Sequence, residues 1–184
     1  MSNIERVERL LKQLRHSVIE LSREAFFGDV GSAKSLLEDL GGQKVRGYRA
    51  PSFSIDYGNP WAFDGLLEAG YRYSSSLYSV QHDQYGMPDA PRFPYEACPE
   101  LTEIPITTTR LLGRYLLAGG GGYFGFERYR VSHWELRRVN ALELQPSIFY
   151  LHPWEIDPGQ PRVPGTTLNP IPALREPGQD RDPP

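Results

Sequence analysis

The chain has 184 residues, a formal net charge of −3 and a hydrophobic fraction of 39%. That fraction suffices for the packed core of one domain and excludes a wholly disordered chain, and the lack of a basic excess argues against nucleic acid as a partner. The single cysteine, Cys98, excludes an internal disulfide and a zinc site built from cysteines.

Hydropathy along the chain predicts neither a membrane span nor a secretion signal. No apolar run approaches the roughly 20 residues that a membrane helix needs. Residues 1–16 carry charges throughout and lack the apolar centre of a signal peptide. We therefore expect a cytoplasmic protein.

Two helices are predicted near the start of the chain. Residues 4–14 carry apolar side chains at helical spacing. A second helix begins after an N-cap at Ser22 and ends at the pair Gly41 and Gly42. Its buried face is predicted to consist of Phe26, Val30, Ala33, Leu37 and Leu40.

Strands and helices alternate in the rest of the chain, which predicts an α/β fold. The glycines at 119–122 predict a flexible turn or bulge, because no lysine follows them as it would in a phosphate-binding loop. The predicted strands cover residues 45–50, 71–73, 101–106 (a strand or an edge segment) and 147–151, and the predicted helices run from an N-cap at Asn59 to Gly70 and over 128–140.

Residues 157–184 differ in composition from the rest, because they contain eight of the 17 prolines. Proline lacks a backbone N–H and has a fixed φ, so this segment is not a regular helix or a central strand. We predict a folded domain over residues 1–156 and a flexible proline-rich tail over 157–184. A proline-rich ligand for a partner is the alternative for the tail.

Two residues are candidates for chemistry on the pattern alone. His152 closes an apolar strand, where α/β folds place reacting groups, so its imidazole is a candidate acid or base. A packed histidine is an equally weighted alternative. Arg49 precedes the stiffening Pro51 and could orient a carboxylate through paired hydrogen bonds, although composition alone favours a structural salt bridge.

Five stretches of the sequence resemble one known family. They are RGYRAPSFSI, LLEAGYRYSSSLY, HDQYGMPDAPRFP, AGGGGYF and FYLHPWEIDP, spread over residues 46–158. They are similar to polysaccharide deacetylases of the NodB-homology class, in particular to the branch that accompanies exopolysaccharide and exosortase (PEP-CTERM) loci. That branch carries a further segment that resembles residues 119–140.

The resemblance implies a distorted (β/α) barrel that hydrolyses N-acetyl groups of an exopolysaccharide with a divalent metal, zinc above all. It implies that His152 is the acid that protonates the leaving amine and that Arg49 orients the catalytic base. Ser74 stands where many relatives have aspartate. Substrate contacts are expected from Tyr48, Phe53, Tyr123 and Trp154, although aromatic side chains more often fill cores.

The chain departs from the family pattern at its start. The acidic motif that precedes the first helix of the family is not found, and His16 alone stands for the histidine pair that binds the metal. The fold expected is therefore a partial barrel that lacks its first strands, with a poorly held metal and little activity of its own. The alternatives are a carbohydrate-binding remnant without catalysis and a defective fragment with exposed sheet edges.

Overall fold

The computed structural model describes residues 17–80, 86–111, 114–119 and 129–152. Within them lie three helices, a four-stranded sheet and a two-stranded sheet, which confirms the α/β class. The two sheets do not close into a barrel in this part of the chain. The helices are α1 (Arg23–Gly41), α2 (Trp61–Glu68) and α3 (Tyr129–Arg138), and the strands are β1 (Gly47–Tyr48), β2 (Tyr73–Ser74), β3 (Tyr95–Cys98), β4 (Leu101–Glu103), β5 (Thr108–Leu111) and β6 (Arg114–Leu117).

The larger sheet has the strand order β1-β2-β4-β3. The first three of these strands are parallel, and β3 runs antiparallel to β4 with an irregularity between Glu96 and Cys98. Strand β4 is therefore internal: of the two alternatives for residues 101–106, the strand is confirmed over Leu101–Glu103 and the edge segment is wrong. Leu101 and Glu103 of this strand are fully buried.

Helix α1 has the ends that the sequence predicts. The hydroxyl of Ser22 accepts a hydrogen bond from the N–H of Ala25 at 3.2 Å, and Gly42 closes the helix in the left-handed conformation, with φ of 65°. Phe26 and Val30 are buried as predicted, because the N-terminal half packs on α2. The prediction is wrong for Leu37 and Leu40, which are about half exposed.

Helix α2 begins as predicted beside Asn59, but the side chain of Asn59 does not cap it. Asn59 is buried, and its Oδ1 accepts from the N–H of Asp56 at 2.8 Å while its Nδ2 donates to the carbonyl of Ser54 at 2.9 Å. Asn59 thus ties together the loop before the helix.

We expect Asn59→Ala to lower the free energy of unfolding by about 2 kcal/mol, because it leaves a partly buried N–H and a buried carbonyl without their partners. Urea unfolding measures this loss. Asn140→Ala is the control: Asn140 is exposed and accepts a hydrogen bond from Ser147 at 2.7 Å, so its loss should stay within about 0.5 kcal/mol. Equal losses in the two variants would contradict the role of Asn59.

Two strand predictions are wrong in extent. The strand predicted over 45–50 is reduced to β1, because Pro51 begins a short 3₁₀ turn at Pro51–Phe53. The segment 147–151 is not a regular strand. It is held to the start and end of the hairpin of β5 and β6, where the N–H of Ile148 donates to Oγ1 of Thr107 at 2.6 Å and the N–H of Tyr150 donates to the carbonyl of Gly119 at 2.7 Å.

Arg92 connects the hairpin of β5 and β6 to the end of a π-helical turn, Val139–Glu143, that follows α3. Its Nε donates to Oγ1 of Thr108 at 2.9 Å, and its two terminal nitrogens bind the carboxylate of Glu143 at 2.6 and 3.2 Å. The guanidinium also lies 4.8 Å from the ring centre of Tyr115. This side chain is mostly buried, so the pair is more strongly held than a surface ion pair.

The apolar side chains of the described residues form two clusters. The larger one lies between α1, α2 and the four-stranded sheet and includes Phe26, Leu66 and Leu101. The smaller one is Phe53, Tyr78, Val80 and Ile106, with Ile148 and Tyr150 packed against it. None of the helices in the described part of the chain is long and apolar enough to span a bilayer.

Candidate functional site

Arg49 follows β1 and is held by the segment that follows β2. Its Nε donates to the carbonyl of Ser75 at 3.0 Å and its Nη2 donates to Oγ of Ser75 at 2.9 Å. Burial lowers the pKa of Arg49, and the nearby Tyr150 and Glu103 oppose that shift. An arginine stays charged under such conditions, so a partly buried, oriented cation lies at this edge of the sheet.

Three consecutive serines, Ser74 to Ser76, connect the guanidinium of Arg49 to the interior of the sheet and are called the serine segment below. Oγ of Ser76 accepts from the N–H of Ala50 and from Oγ of Ser74, both at 2.8 Å. The N–H of Ser75 donates to the carbonyl of Tyr48 at 2.9 Å. The serine segment thus fixes the backbone on both sides of Arg49 as well as its side chain.

Glu103, on the neighbouring strand β4, holds the backbone of the serine segment through two hydrogen bonds. Its Oε1 accepts from the N–H groups of Ser76 and Leu77, at 2.7 and 2.9 Å. Its Oε2 is buried and has no hydrogen-bond partner among the described residues. Burial raises the pKa of Glu103 above its ordinary value, and the hydrogen bonds from its neighbours and the charge of Arg49 oppose the rise.

Tyr150 brings Arg49 and His152 into one cluster. The guanidinium carbon of Arg49 lies 5.3 Å from the ring centre of Tyr150. The hydroxyl of Tyr150 contacts Nε2 of His152 within hydrogen-bond distance and lies 3.3 Å from Nδ1, and the two ring centres are 4.8 Å apart. A cation and an imidazole therefore flank the same aromatic side chain.

Phe53 reaches this cluster through an unusual backbone. Ser52 and Phe53 have φ values of 55° and 51°, in the left-handed region that residues with a side chain seldom occupy. The ring of Phe53 packs edge-on against Tyr150, with centres 5.5 Å apart, and equally close to Tyr78. Such conformations cost about 1–3 kcal/mol each and persist where the surroundings enforce them.

The structure brings three of the predicted site residues together around one tyrosine and places a fourth in the apolar core. Arg49, Phe53 and His152 surround Tyr150, and Phe53 is buried. The ring of Tyr48 lies in the larger apolar cluster, where it packs against Phe26 and Tyr71, and burial raises its pKa. The remaining predicted residues lie outside the described ranges: Tyr123, Trp154 and the proposed metal ligand His16.

The described residues do not fit a divalent metal. In the ranges that the structure covers, no three side chains of His, Cys, Asp or Glu converge. A catalytic zinc ion needs about three such protein ligands. The described residues alone therefore supply too few donors for a catalytic zinc site.

Sequence reasoning missed two members of the site. Tyr150 lies two residues before His152, and in an extended chain residues i and i+2 face the same side, so this spacing was a usable signal. Glu103 carries no local signal, because it meets the serine segment only through the pairing of β2 with β4.

In the comparison with protein families, the model of a domain of unknown function, DUF3473, matches residues 75–171, which is more than half of the chain. The chain belongs to this family. The match covers the serine segment from Ser75 onward, Glu103, Tyr150 and His152, whereas Arg49 precedes it. Neither the curated proteins nor the solved structures contain a match to the chain.

Proposed function

We propose that the chain is a carbohydrate N-deacetylase module in which His152 is the general acid and Arg49 orients the catalytic base. The observation that carries this proposal is that both side chains flank Tyr150. The sequence resemblance to polysaccharide deacetylases supports it, as does the DUF3473 match, since that domain is associated with deacetylase-like proteins.

In this proposal the substrate is an N-acetylated exopolysaccharide. Water adds to the amide carbonyl carbon, the carbon–nitrogen bond breaks, acetate leaves and the amine takes a proton from the imidazolium of His152. Arg49, fixed through Ser75, orients the carboxylate that accepts the proton of the water. The four-stranded sheet is then part of the family's distorted (β/α) barrel. Because the acidic motif that supplies the base and the metal ligand is not found in the sequence, we expect turnover by this chain to be slow.

A second candidate function is binding of the carbohydrate without turnover. It is favoured by the described residues, which supply no convergent set of donors for a metal ion. The sugar then rests on the aromatic cluster, and Arg49 and His152 serve as hydrogen-bond donors to its acetamido group.

An assay of acetate release from an N-acetylglucosamine oligomer, with and without Zn²⁺, tests the proposal. We expect slow turnover by the wild-type chain and about 10²-fold less by His152→Ala, the usual contribution of a general acid. His133→Ala is the matched control, because His133 is an exposed histidine on α3 and should be dispensable.

The same three proteins are compared for oligomer binding by calorimetry. Oligomer binding that is weakened in His152→Ala but not in His133→Ala, with no acetate released by any of the three, would favour the second candidate function. If neither binding nor release is detected with the wild-type chain, both candidate functions are contradicted.

A further inference from the structure

One peptide group lies between the carboxylate of Glu103 and the guanidinium of Arg49. Its N–H, which belongs to Ser76, donates to Oε1 of Glu103 at 2.7 Å, and its carbonyl, which belongs to Ser75, accepts from Nε of Arg49 at 3.0 Å. The peptide bond is trans, so its N–H and its carbonyl point in opposite directions. A buried carboxyl group and an oriented cation are thus joined through a single hydrogen-bonded unit.

The guanidinium of Arg49 is bound along one edge. Nε and Nη2 form that edge, since Nη2 also donates to Oγ of Ser75 at 2.9 Å. The remaining edge, formed by Nη1 and the other N–H of Nη2, has no hydrogen-bond or ion-pair partner in the described part of the chain. Two parallel N–H groups of this kind fit a carboxylate. This edge is therefore the one with which Arg49 orients a carboxylate in the proposed function.

We propose that Glu103 is a positioning residue that holds Arg49 with this edge open, by fixing and polarising the peptide group between them. The inference rests on the proposed function for its purpose, since Arg49 there orients the catalytic base. A carboxylate that accepts from the N–H of a peptide shifts electron density toward its carbonyl oxygen. The carbonyl then becomes a stronger acceptor, and the hydrogen bond from Nε of Arg49 is strengthened.

A carboxylate brings to this position something that a neutral acceptor lacks. Glu103 is fully buried, and its Oε1 also accepts from the N–H of Leu77 at 2.9 Å, while its Oε2 has no hydrogen-bond partner among the described residues. An amide oxygen would serve both N–H groups without the cost of burying a charge. What the carboxylate adds is its negative charge, and that charge attracts Arg49. Burial raises the pKa of Glu103 and lowers that of Arg49, and this attraction opposes both shifts.

The charged and titratable groups around the pair are few. Glu103 faces Arg49 and Tyr95 of β3, and burial raises the pKa of Tyr95 to about 12. Both therefore keep one charge state between about pH 4 and pH 8. Tyr150 and His152 lie in the same cluster as Arg49, so the test substitutes Glu103 alone and leaves their contributions in place.

The test follows the Nε–H of Arg49 and the backbone N–H of Ser76 by NMR in the full-length chain from about pH 4 to pH 8. Arg49→Lys assigns the arginine signal. In the wild-type chain we expect both signals to shift with one midpoint above 4.5, as Glu103 loses its proton. In Glu103→Gln, which keeps an oxygen for both N–H groups, this common shift should be lost while both signals remain.

Glu96→Gln is the matched control, because Glu96 is an exposed glutamate on β3 and loses its charge in the same way. It should retain the wild-type shifts. The proposal is overturned if the Arg49 signal does not move with that of Ser76 in the wild-type chain, or if it moves equally in Glu103→Gln. A role in stability alone would leave the Arg49 signal independent of this carboxyl group. The spectrum needs no sugar, so failure of acetate release leaves it a separate result.

Discussion

Glu103→Ala should lower the free energy of unfolding by about 3 kcal/mol, a loss measurable by urea denaturation. The substitution removes the acceptor of the Ser76 and Leu77 N–H groups and leaves both donors buried. It also leaves a cavity under the serine segment, because Glu103 is fully buried.

Two further variants separate the hydrogen bonds of Glu103 from its charge. Glu103→Gln keeps an oxygen for both N–H groups, so its loss should stay below about 1 kcal/mol. Glu96→Ala removes an exposed glutamate of β3 that accepts one hydrogen bond from Glu100 at 3.2 Å, and its loss should be within about 0.5 kcal/mol. A loss for Glu103→Ala no larger than that for Glu96→Ala would contradict the anchoring role.

The raised pKa of Glu103 gives the same residue a pH dependence. Below the ordinary value of 4.5 the carboxyl is protonated in the folded and the unfolded chain. As the pH rises above 4.5, the unfolded chain releases this proton while the folded chain retains it, so the contribution of Glu103 to the free energy of unfolding falls. Glu103→Gln should remove this part of the fall.

Gly119→Ala should destabilise the chain by at least about 2 kcal/mol, because the position has no room for a methyl group. A Cβ there would lie 2.2 Å from Cγ2 of Ile106 and 3.0 Å from two backbone atoms, the carbonyl oxygen of Ile148 and the nitrogen of Thr107. Ile106 is fully buried and β-branched, so it cannot turn away at low cost.

The control for Gly119→Ala is a second glycine variant that we expect to stabilise the chain. Gly31 lies within α1, and a Cβ there meets nothing within 4 Å, so Gly31→Ala should stabilise the chain by up to about 1 kcal/mol. Thermal or urea unfolding of both variants measures the contrast. A Gly119→Ala variant as stable as the wild type would contradict this expectation, because it would show that the segment around Ile148 yields easily.

The parts of the fold that were predictable from sequence depend on local signals. The ends of α1 follow from Ser22 and Gly42, whose side chain and backbone act within one turn of the helix. Strand β3 and the hairpin of β5 and β6 were not predicted, because their pairing partners are set by the tertiary fold. Leu37 was assigned to the core on periodicity alone, which does not say where along its length a helix meets its neighbour.

The residues of the candidate site were also predictable only where they belong to a local sequence motif. Arg49 and His152 come from short motifs, and the structure places both beside Tyr150. Their roles remain predictions, as do those of His16, Tyr123 and Trp154 outside the described residues. Glu103 was beyond sequence reasoning, because a glutamate in a short strand is expected to face solvent unless a partner is known.

Arg92 couples the unfolding of two segments in the second half of the domain. One guanidinium binds both Thr108 at the start of the hairpin and Glu143 after α3, so loss of either partner removes part of what holds Arg92 in place. Opening of the hairpin should therefore weaken the hold on Glu143 and loosen the chain that leads to His152.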